Sequence, residues 1–247
     1  MKNIIYSIAA TAALFSMSAT AQEEETKNYS VTLNTSYQSA YVWRGINFTN
    51  DAVLQSSATL SYKGFSLNAW ASNNFTDENE QPVSAGQFEE VDYTLSYSGN
   101  ATEDLSYTVG AIRYQFPEYK RIPAGDTKYT TELYTTFSYN TFLNPTLAAY
   151  YDVDSANGGL YFNASVSHSV EIYKGQNLSL GAGNSGFEFT DAAFTASSQF
   201  AVNEKVSITP SLTYTHLING STHEGADSSR ENLVGNNTAI SSKVKKR

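Results

Sequence analysis

The chain has 247 residues, a formal net charge of −9, no cysteine, 18 tyrosines and 13 phenylalanines. The acidic balance argues against a nucleic-acid partner, and the lack of cysteine excludes disulfides, thiol catalysis and zinc–thiolate sites. The richness in aromatic residues favours β-structure, and the length suits a single all-β domain.

The first 21 residues have the pattern of a secretory signal. Lys2 precedes an apolar run from Ile4 to Met17, and Ala19-Thr20-Ala21 supplies small residues for a cleavage site. The run is too short to span a bilayer as a helix. We therefore predict a signal peptide at residues 1–21, export across the inner membrane, and one barrel domain at residues 22–247.

The stretch from Tyr29 to Asn50 predicts a long first strand. Large residues dominate its odd positions and small polar residues its even positions, a period of two that gives a strand one apolar and one polar face. Such a strand is long enough to cross a bilayer when tilted. We expect Tyr41 and Trp43 to end its apolar face, with Arg44 on the polar face.

Eleven more strands follow with the same alternation, separated in turn by tight turns and longer polar loops. The strands are predicted near residues 54–62, 65–72, 91–97, 105–116, 129–139, 147–153, 160–168, 178–182, 192–200, 206–214 and 233–244. The alternation slips after Gly110, which predicts a β-bulge there that would turn Arg113 inward. The total of about twelve is even, as in single-chain bacterial outer-membrane barrels.

Three features favour a membrane barrel over a water-soluble one. Aromatic residues of the apolar face gather at both strand ends, as in the two interfacial girdles of membrane barrels. The polar face is mostly Ser, Thr and Asn, which suits a hydrated interior. Short turns and long loops segregate to opposite sides. The sequence thus predicts an all-β fold, a single transmembrane antiparallel up-and-down β-barrel of about 12 strands in contact with outer-membrane lipid.

Six residues lie at alternating strand positions that should face the barrel interior, and they are candidates for lining a pore: Arg44, Trp70, Asp92, Lys128, Glu132 and Asp152. Arg44 has two interpretations. It could select solutes by charge at the pore mouth, or it could be a structural partner of an inward carboxylate such as Asp92 or Glu132, and we favour the structural role. Inward Glu90, Asp152 and Asp191 give an acidic excess that would weakly favour cations.

The sequence offers no catalytic, cofactor or metal site. His168 and His216 fall on the apolar face, and no serine is placed for activation by them in a sheltered pocket. The stretch from Asp152 to Gly158 partly matches a calcium loop, but Ala156 and Asn163 stand where ligands are required. We predict a plain hairpin there, and a protein that is not an enzyme.

A resemblance to a known family rests on residues 37–46, Tyr-Gln-Ser-Ala-Tyr-Val-Trp-Arg-Gly-Ile, and on Trp70-Ala71-Ser72-Asn73 after a short hairpin. These residues resemble the first three strands of the TorF-type porins, a family of Gcw_chp-like conserved proteins. The resemblance covers residues 37–73 and implies an outer-membrane barrel with a channel role. One departure is the end Lys243-Val244-Lys245-Lys246-Arg247, since many such barrels end in an aromatic residue. We expect either an unusual closure or a native terminus that lies elsewhere.

The function that these observations favour is passive diffusion of small hydrophilic solutes through an outer-membrane porin. Twelve strands imply a narrow pore, since eight leave little interior room and sixteen an open channel. Two alternatives remain open: a non-conducting surface or structural barrel whose loops bind a partner, and a soluble periplasmic barrel that holds an apolar ligand.

Overall fold

The computed structural model describes most of the chain beyond the predicted signal segment. The described residues are 29–44, 46–49, 51–75, 83–117, 128–154, 158–173, 176–185, 191–203, 205–217 and 233–244. The predicted signal segment 1–21, residues 155–157 of the calcium-like stretch and the last three residues lie outside these ranges. Among the described residues, no helix is long and apolar enough to cross a membrane.

Fourteen β-strands make up the described fold, and twelve of them form the barrel wall. The wall strands are β1 (Tyr29–Gln38), β4 (Val53–Tyr62), β5 (Phe65–Asn74), β6 (Phe88–Asn100), β7 (Leu105–Gln115), β8 (Tyr129–Tyr139), β9 (Thr146–Asp152), β10 (Leu160–Tyr173), β11 (Gln176–Ser185), β12 (Asp191–Ala201), β13 (Val206–Leu217) and β14 (Leu233–Val244). Two short strands, β2 (Tyr41–Trp43) and β3 (Ile46–Thr49), pair only with each other.

The wall is an antiparallel up-and-down sheet that closes on itself. From β4 to β14 each strand pairs with the next along the chain, and β1 pairs with both β4 and β14. The closing pairs run from Val31↔Val244 to Gln38↔Asn237. The prediction of an all-β, twelve-stranded barrel is confirmed, and its last strand closes the sheet with no aromatic residue at its end. Closure removes the free edges that an open sheet would expose.

Alternation of side chains gives the barrel an apolar outer face and a polar inner face. Leu33 and Leu133 point outward and are 38% and 51% exposed. Their neighbours point inward: Thr32 lies on the opposite face of β1, and the Thr130 hydroxyl bonds to Asp152 across the inner wall. Large exposed apolar side chains occur in the same way on the other wall strands. The polarity of the two faces is therefore as the sequence predicts.

The two rims of the barrel differ in the connections that they carry. One rim, the turn rim, holds both ends of the wall, at Tyr29 and Val244, together with the connections β4–β5, β6–β7, β8–β9, β10–β11 and β12–β13. The other rim, the loop rim, holds the remaining connections, which are mostly longer. The two-residue turn Lys63-Gly64 joins β4 to β5, and both of its residues have positive φ (46° and 86°). That geometry is the type I′ turn that matches strand twist.

The first strand is shorter than predicted. It ends at Gln38, a bend follows at Ser39 and Ala40, and the chain then turns away from the wall as the β2–β3 hairpin. The expectation that Tyr41 and Trp43 continue the outer apolar face is therefore wrong. Wall pairing with β4 stops at Gln38↔Val53, so the alternation beyond that point no longer follows the wall.

The predicted bulge at Gly110 is also wrong. Pairing of β7 with β6 and with β8 runs without a shift along the whole strand. Tyr114 instead points inward to a carboxylate, and Arg113 points outward over the Tyr129 ring, 3.7 Å from its centroid. The bulge lies in the pairing of β5 with β6, between Ser72 and Asn73.

Candidate functional site

The β2–β3 hairpin folds into the interior of the barrel. Its residues contact inward-facing side chains of six wall strands, β5 to β10, as described below. Tyr41 is 8% exposed, and Thr49 is fully buried. Arg44 lies at the tip of the hairpin with a positive φ of 50°, a conformation that costs a non-glycine residue energy. Its surroundings hold it there.

The Arg44 side chain forms a bidentate ion pair with Glu132 of β8. Its Nη1 and Nη2 each donate a hydrogen bond of 2.7 Å to one carboxylate oxygen, and the Tyr114 hydroxyl donates a third, of 3.0 Å, to the same carboxylate. The Arg44 and Glu132 side chains are 14% and 7% exposed. Planar, two-point pairing of this kind is stronger and more directional than a point-charge contact.

Three aromatic rings surround the Arg44 guanidinium. Its central carbon lies 4.3 Å from the ring centroid of Trp43, 4.7 Å from that of Tyr150 and 3.9 Å from that of Tyr161. Cations are attracted to aromatic faces at these distances. Burial alone would lower the pKa of the Arg44 guanidinium, but the hydrogen bonds and charge of Glu132 outweigh it and raise the pKa. The guanidinium therefore stays charged, held by Glu132 and the three rings in an arrangement that we call the Arg44 clamp.

The base of the hairpin is held by two consecutive carboxylates of β6. The Tyr41 hydroxyl donates to Glu90 (2.7 Å), while Glu89 accepts from the Thr49 hydroxyl of β3 and from the Ser72 hydroxyl of β5, each at 2.6 Å. Burial raises the pKa of the Tyr41 phenol well above its usual value, and Glu90 adds to the effect. The phenol therefore remains a hydrogen-bond donor.

The β5–β6 bulge explains how Glu89 and Glu90 can both face inward. Strict alternation would put one of the two on the apolar outer face, whereas the shift between Ser72 and Asn73 buries both. Sequence reasoning missed Glu89 for this reason. The signal was present, because a carboxylate on the apolar face of a strand indicates that its register must change nearby.

The structure brings five of the six candidate residues to the inner side of the barrel. Besides Arg44 and Glu132, the Trp70 ring lies 5.8 Å from that of Tyr41. Asp92 pairs with Trp70 across β5 and β6 and has one buried oxygen, Oδ1, with no hydrogen-bond partner among the described residues. Asp152 accepts from Thr130 (2.5 Å) and from the Asp154 backbone (2.8 Å).

Lys128 lies apart from this group. It is exposed just before β8, at the loop rim, and its Nζ donates a 3.0 Å hydrogen bond to the Pro117 carbonyl. The inward Asp191 predicted from the sequence lies among residues whose side chains are not described. The acidic groups around the hairpin are therefore opposed by Arg44 and not by Lys128.

Tyrosine rings fill the interior beside the Arg44 clamp. The rings of Tyr134 and Tyr150 stack at 5.6 Å, and Tyr150 lies 5.9 Å from Tyr161. Gly110 lies under the Tyr134 ring: a Cβ atom there would come within 2.6 Å of Tyr134 and of the Leu95 carbonyl. The hairpin and these rings together pack the lumen along β5 to β10.

Within the described ranges, no group of three or more acidic or histidine side chains is arranged to hold a metal ion. His168 lies on the outer face, where Nδ1 is 2.7 Å from the Phe142 carbonyl. His216 pairs with Ala192 in an outward row. The chemistry that the inner site supports is hydrogen bonding and ion pairing in the barrel interior.

Comparison with known proteins gives one family and several structures of the same fold. The family model described as "Bacterial protein of unknown function (Gcw_chp)" matches residues 22–222. No curated protein matches the chain.

Three solved structures resemble the barrel. They are the KdgM porin in complex with disordered oligogalacturonate (8% identity, 88% of this chain and 99% of that chain, TM-score 0.51), the NanC porin (11%, 87% and 100%, 0.50) and the COG4313 outer membrane channel from Pseudomonas putida F1 (12%, 90% and 97%, 0.50). At these identities the likeness concerns the fold.

Proposed function

Because the chain belongs to the Gcw_chp family of bacterial proteins and folds as a closed twelve-stranded barrel, we propose that it is an outer-membrane channel through which small hydrophilic solutes diffuse passively. Within that family we assign it to the TorF type, on residues 37–46. The mature protein begins after a signal peptide, and the turn rim faces the periplasm.

The observation that carries the proposal is the polarity of the barrel. Large apolar side chains cover its outside, whereas hydroxyl, amide and carboxylate groups line its inside. A water-soluble barrel needs the opposite arrangement, because its apolar side chains must leave water. The wall strands are 7 to 14 residues long. A tilted strand needs about 9 to 11 residues to cross a bilayer, which lies within that range. The porin and channel folds that the chain resembles support the same location.

The β2–β3 hairpin is the constriction of the proposed channel. It joins the inner wall through Arg44, Tyr41 and Thr49, and its Tyr41 ring lies against the Trp70 ring of β5. Inward Glu89, Glu132 and Asp152 outnumber the single cation Arg44 among the described inner side chains near the hairpin. We propose a weak preference for cations on this ground.

A second candidate, a non-conducting barrel whose loops bind a partner, is favoured by one observation. The hairpin and the tyrosine rings together occupy much of the interior on one side. In this candidate the hairpin would be a permanent plug.

Reconstitution separates the two candidates. Purified residues 22–247, folded in lipid and verified by a heat-dependent shift on electrophoresis, should give stepwise conductance in planar bilayers and should let small sugars swell liposomes. Folded protein that gives neither signal would refute the channel and select the plugged barrel.

A further inference from the structure

We infer that solutes cross the barrel along the wall formed by β10 to β13, and that this path suits small uncharged hydroxylated solutes, such as sugars and polyols, better than anions. The inference rests on the proposed channel function and adds to it a route and a solute class.

The first argument is that the two halves of the lumen differ in how far side chains fill them. Along β5 to β10 the space is taken by the hairpin and by large rings, and even Gly110 is covered by Tyr134. Along β10 to β13 the inward positions other than Tyr161 carry smaller residues. Gly181 is the clearest case, since a Cβ atom there would find its nearest neighbour, the Val166 carbonyl, at 3.7 Å. No described side chain therefore covers Gly181.

The second argument is the chemistry of the open wall. Its inward hydroxyls form a ladder between strands, with Ser169 and Ser179 at 2.6 Å and Thr195 and Thr213 at 2.9 Å. The Gln199 amide donates to Ser207 at 3.0 Å. The inward positions of β10 to β13 carry a charged residue only near the rims, at Glu171 of β10 and Asp191 of β12, and none between them.

A wall of this composition favours neutral solutes that carry many hydroxyls. Hydroxyl groups both donate and accept hydrogen bonds, so the wall can replace the water around a sugar. A sugar of this kind brings no charge that would be left unpaired. Between the two rims, an ion that loses part of its water meets no compensating charge on this wall. Neutral polyols are therefore the solutes that meet the smallest barrier.

Substitutions at Gly181 test the route in the full-length mature barrel. Gly181→Trp should lower single-channel conductance about twofold or more, because the ring would enter the open half of the lumen. Gly181→Lys should shift the reversal potential in a salt gradient toward anions, and Gly181→Asp toward cations. The matched controls are the same three substitutions at Thr94, an inward residue of β6 on the filled side, which should have smaller effects.

The outcomes separate the inference from the channel proposal. A wild-type barrel that is folded but silent in bilayers refutes the channel itself. A conducting wild type in which the Gly181 and Thr94 variants behave alike, with every variant shown to be folded, overturns the route. The solute class is tested in liposome swelling with a hexose and the uronate of the same size. The hexose should enter several times faster, and equal rates would overturn the assignment.

Discussion

Arg44 concentrates more interactions than any other described residue of the hairpin, and its partner Glu132 is the place to test their strength. Glu132→Gln keeps the shape of the side chain and removes its charge, so Arg44 is left buried and unpaired. Removing one partner of a buried pair costs about 3–5 kcal/mol. We expect the hairpin to leave the wall at a clearly lower urea concentration. Trp43, made the only tryptophan by Trp70→Phe, reports the change through its fluorescence.

The control for this experiment is the ion pair between Arg113 and Asp154. Its closest distance is 3.9 Å, and the two side chains are 41% and 35% exposed. Solvent-exposed pairs contribute about 0–1 kcal/mol. Asp154→Asn should therefore leave the urea midpoint almost unchanged. If both variants shift the midpoint equally, the clamp has no special role.

Two glycines of the inner wall provide a matched pair of stability tests. Gly110→Ala forces a methyl group within 2.6 Å of a backbone carbonyl and of the Tyr134 ring, and overpacking of this kind costs about 1–3 kcal/mol. In Gly181→Ala the new methyl group meets the Val166 carbonyl at 3.7 Å, an ordinary van der Waals contact, and alanine lowers the entropy cost of glycine in a strand by roughly 0.5–1 kcal/mol. We expect the free energy of unfolding to fall for the first variant and to stay level or rise for the second, as measured by urea titration in lipid vesicles. Equal losses would contradict the difference in packing.

At the scale of single residues, the sequence predicted the partner of Arg44 better than it predicted whether aromatic residues lie inside or outside the barrel. Arg44 was expected to meet an inward carboxylate such as Glu132, and it does so across 88 residues of chain. Tyr41 and Trp43 were expected outside, because an aromatic side chain suits a lipid interface as well as a packed interior. Alternation cannot distinguish these two environments. The distinction depends on where β1 leaves the wall, which tertiary contacts decide.

The hairpin is the element that local patterns did not reveal. The same alternation runs through β1 and onward to Trp43, so no change of period marks the bend at Ser39. The bulge in β6 was likewise missed, and one was placed wrongly at Gly110. The two missed features, the hairpin and the β5–β6 bulge, have one physical origin. Buried carboxylates and hydroxyls required partners from distant strands, and the backbone left its regular course to supply them.

Removal of the hairpin tests its role as the constriction. Gln38 and Val53 face each other directly in the β1–β4 pairing, so residues 39–52 can be replaced by the two-residue turn Asn-Gly without moving the wall. We expect a folded barrel with a severalfold larger single-channel conductance, because the interior loses the side chains that narrow it. Planar-bilayer recording gives the measurement.

The control for the hairpin deletion shortens another connection at the loop rim. Replacing the shorter β9–β10 connection, residues 154–158, with Gly and Ser keeps the hairpin and should leave conductance near its original value. A deletion variant that is folded, with conductance equal to the intact protein, would mean that the hairpin does not limit the passage.

At the scale of the whole molecule, the fold was accessible from sequence because each wall strand repeats one simple rule. Each strand has apolar residues on its outer face, polar residues on its inner face and a turn at each end. This pattern defines the number of strands and the polarity of the faces, and the closed sheet follows from it. The lumen was less accessible, since its shape depends on which side chains meet across the barrel. Those contacts join strands far apart in the chain, as the Arg44 clamp shows.

The seam between β1 and β14 gives the last prediction. The register of β14 pairs it with β13 from Val206↔Ser242 to Thr215↔Leu233 and with β1 from Val31↔Val244 to Gln38↔Asn237. Deleting residues 233–247 would leave β1 and β13 as open edges, and hydrogen-bonding groups at an open edge are not tolerated in a bilayer. We expect this variant to aggregate and to show no heat-dependent shift on electrophoresis. Deleting only residues 245–247 leaves every described pair of the seam intact and should give a folded barrel. Normal assembly of the larger deletion would show that eleven strands can close, and equal failure of the smaller one would place the assembly signal beyond β14.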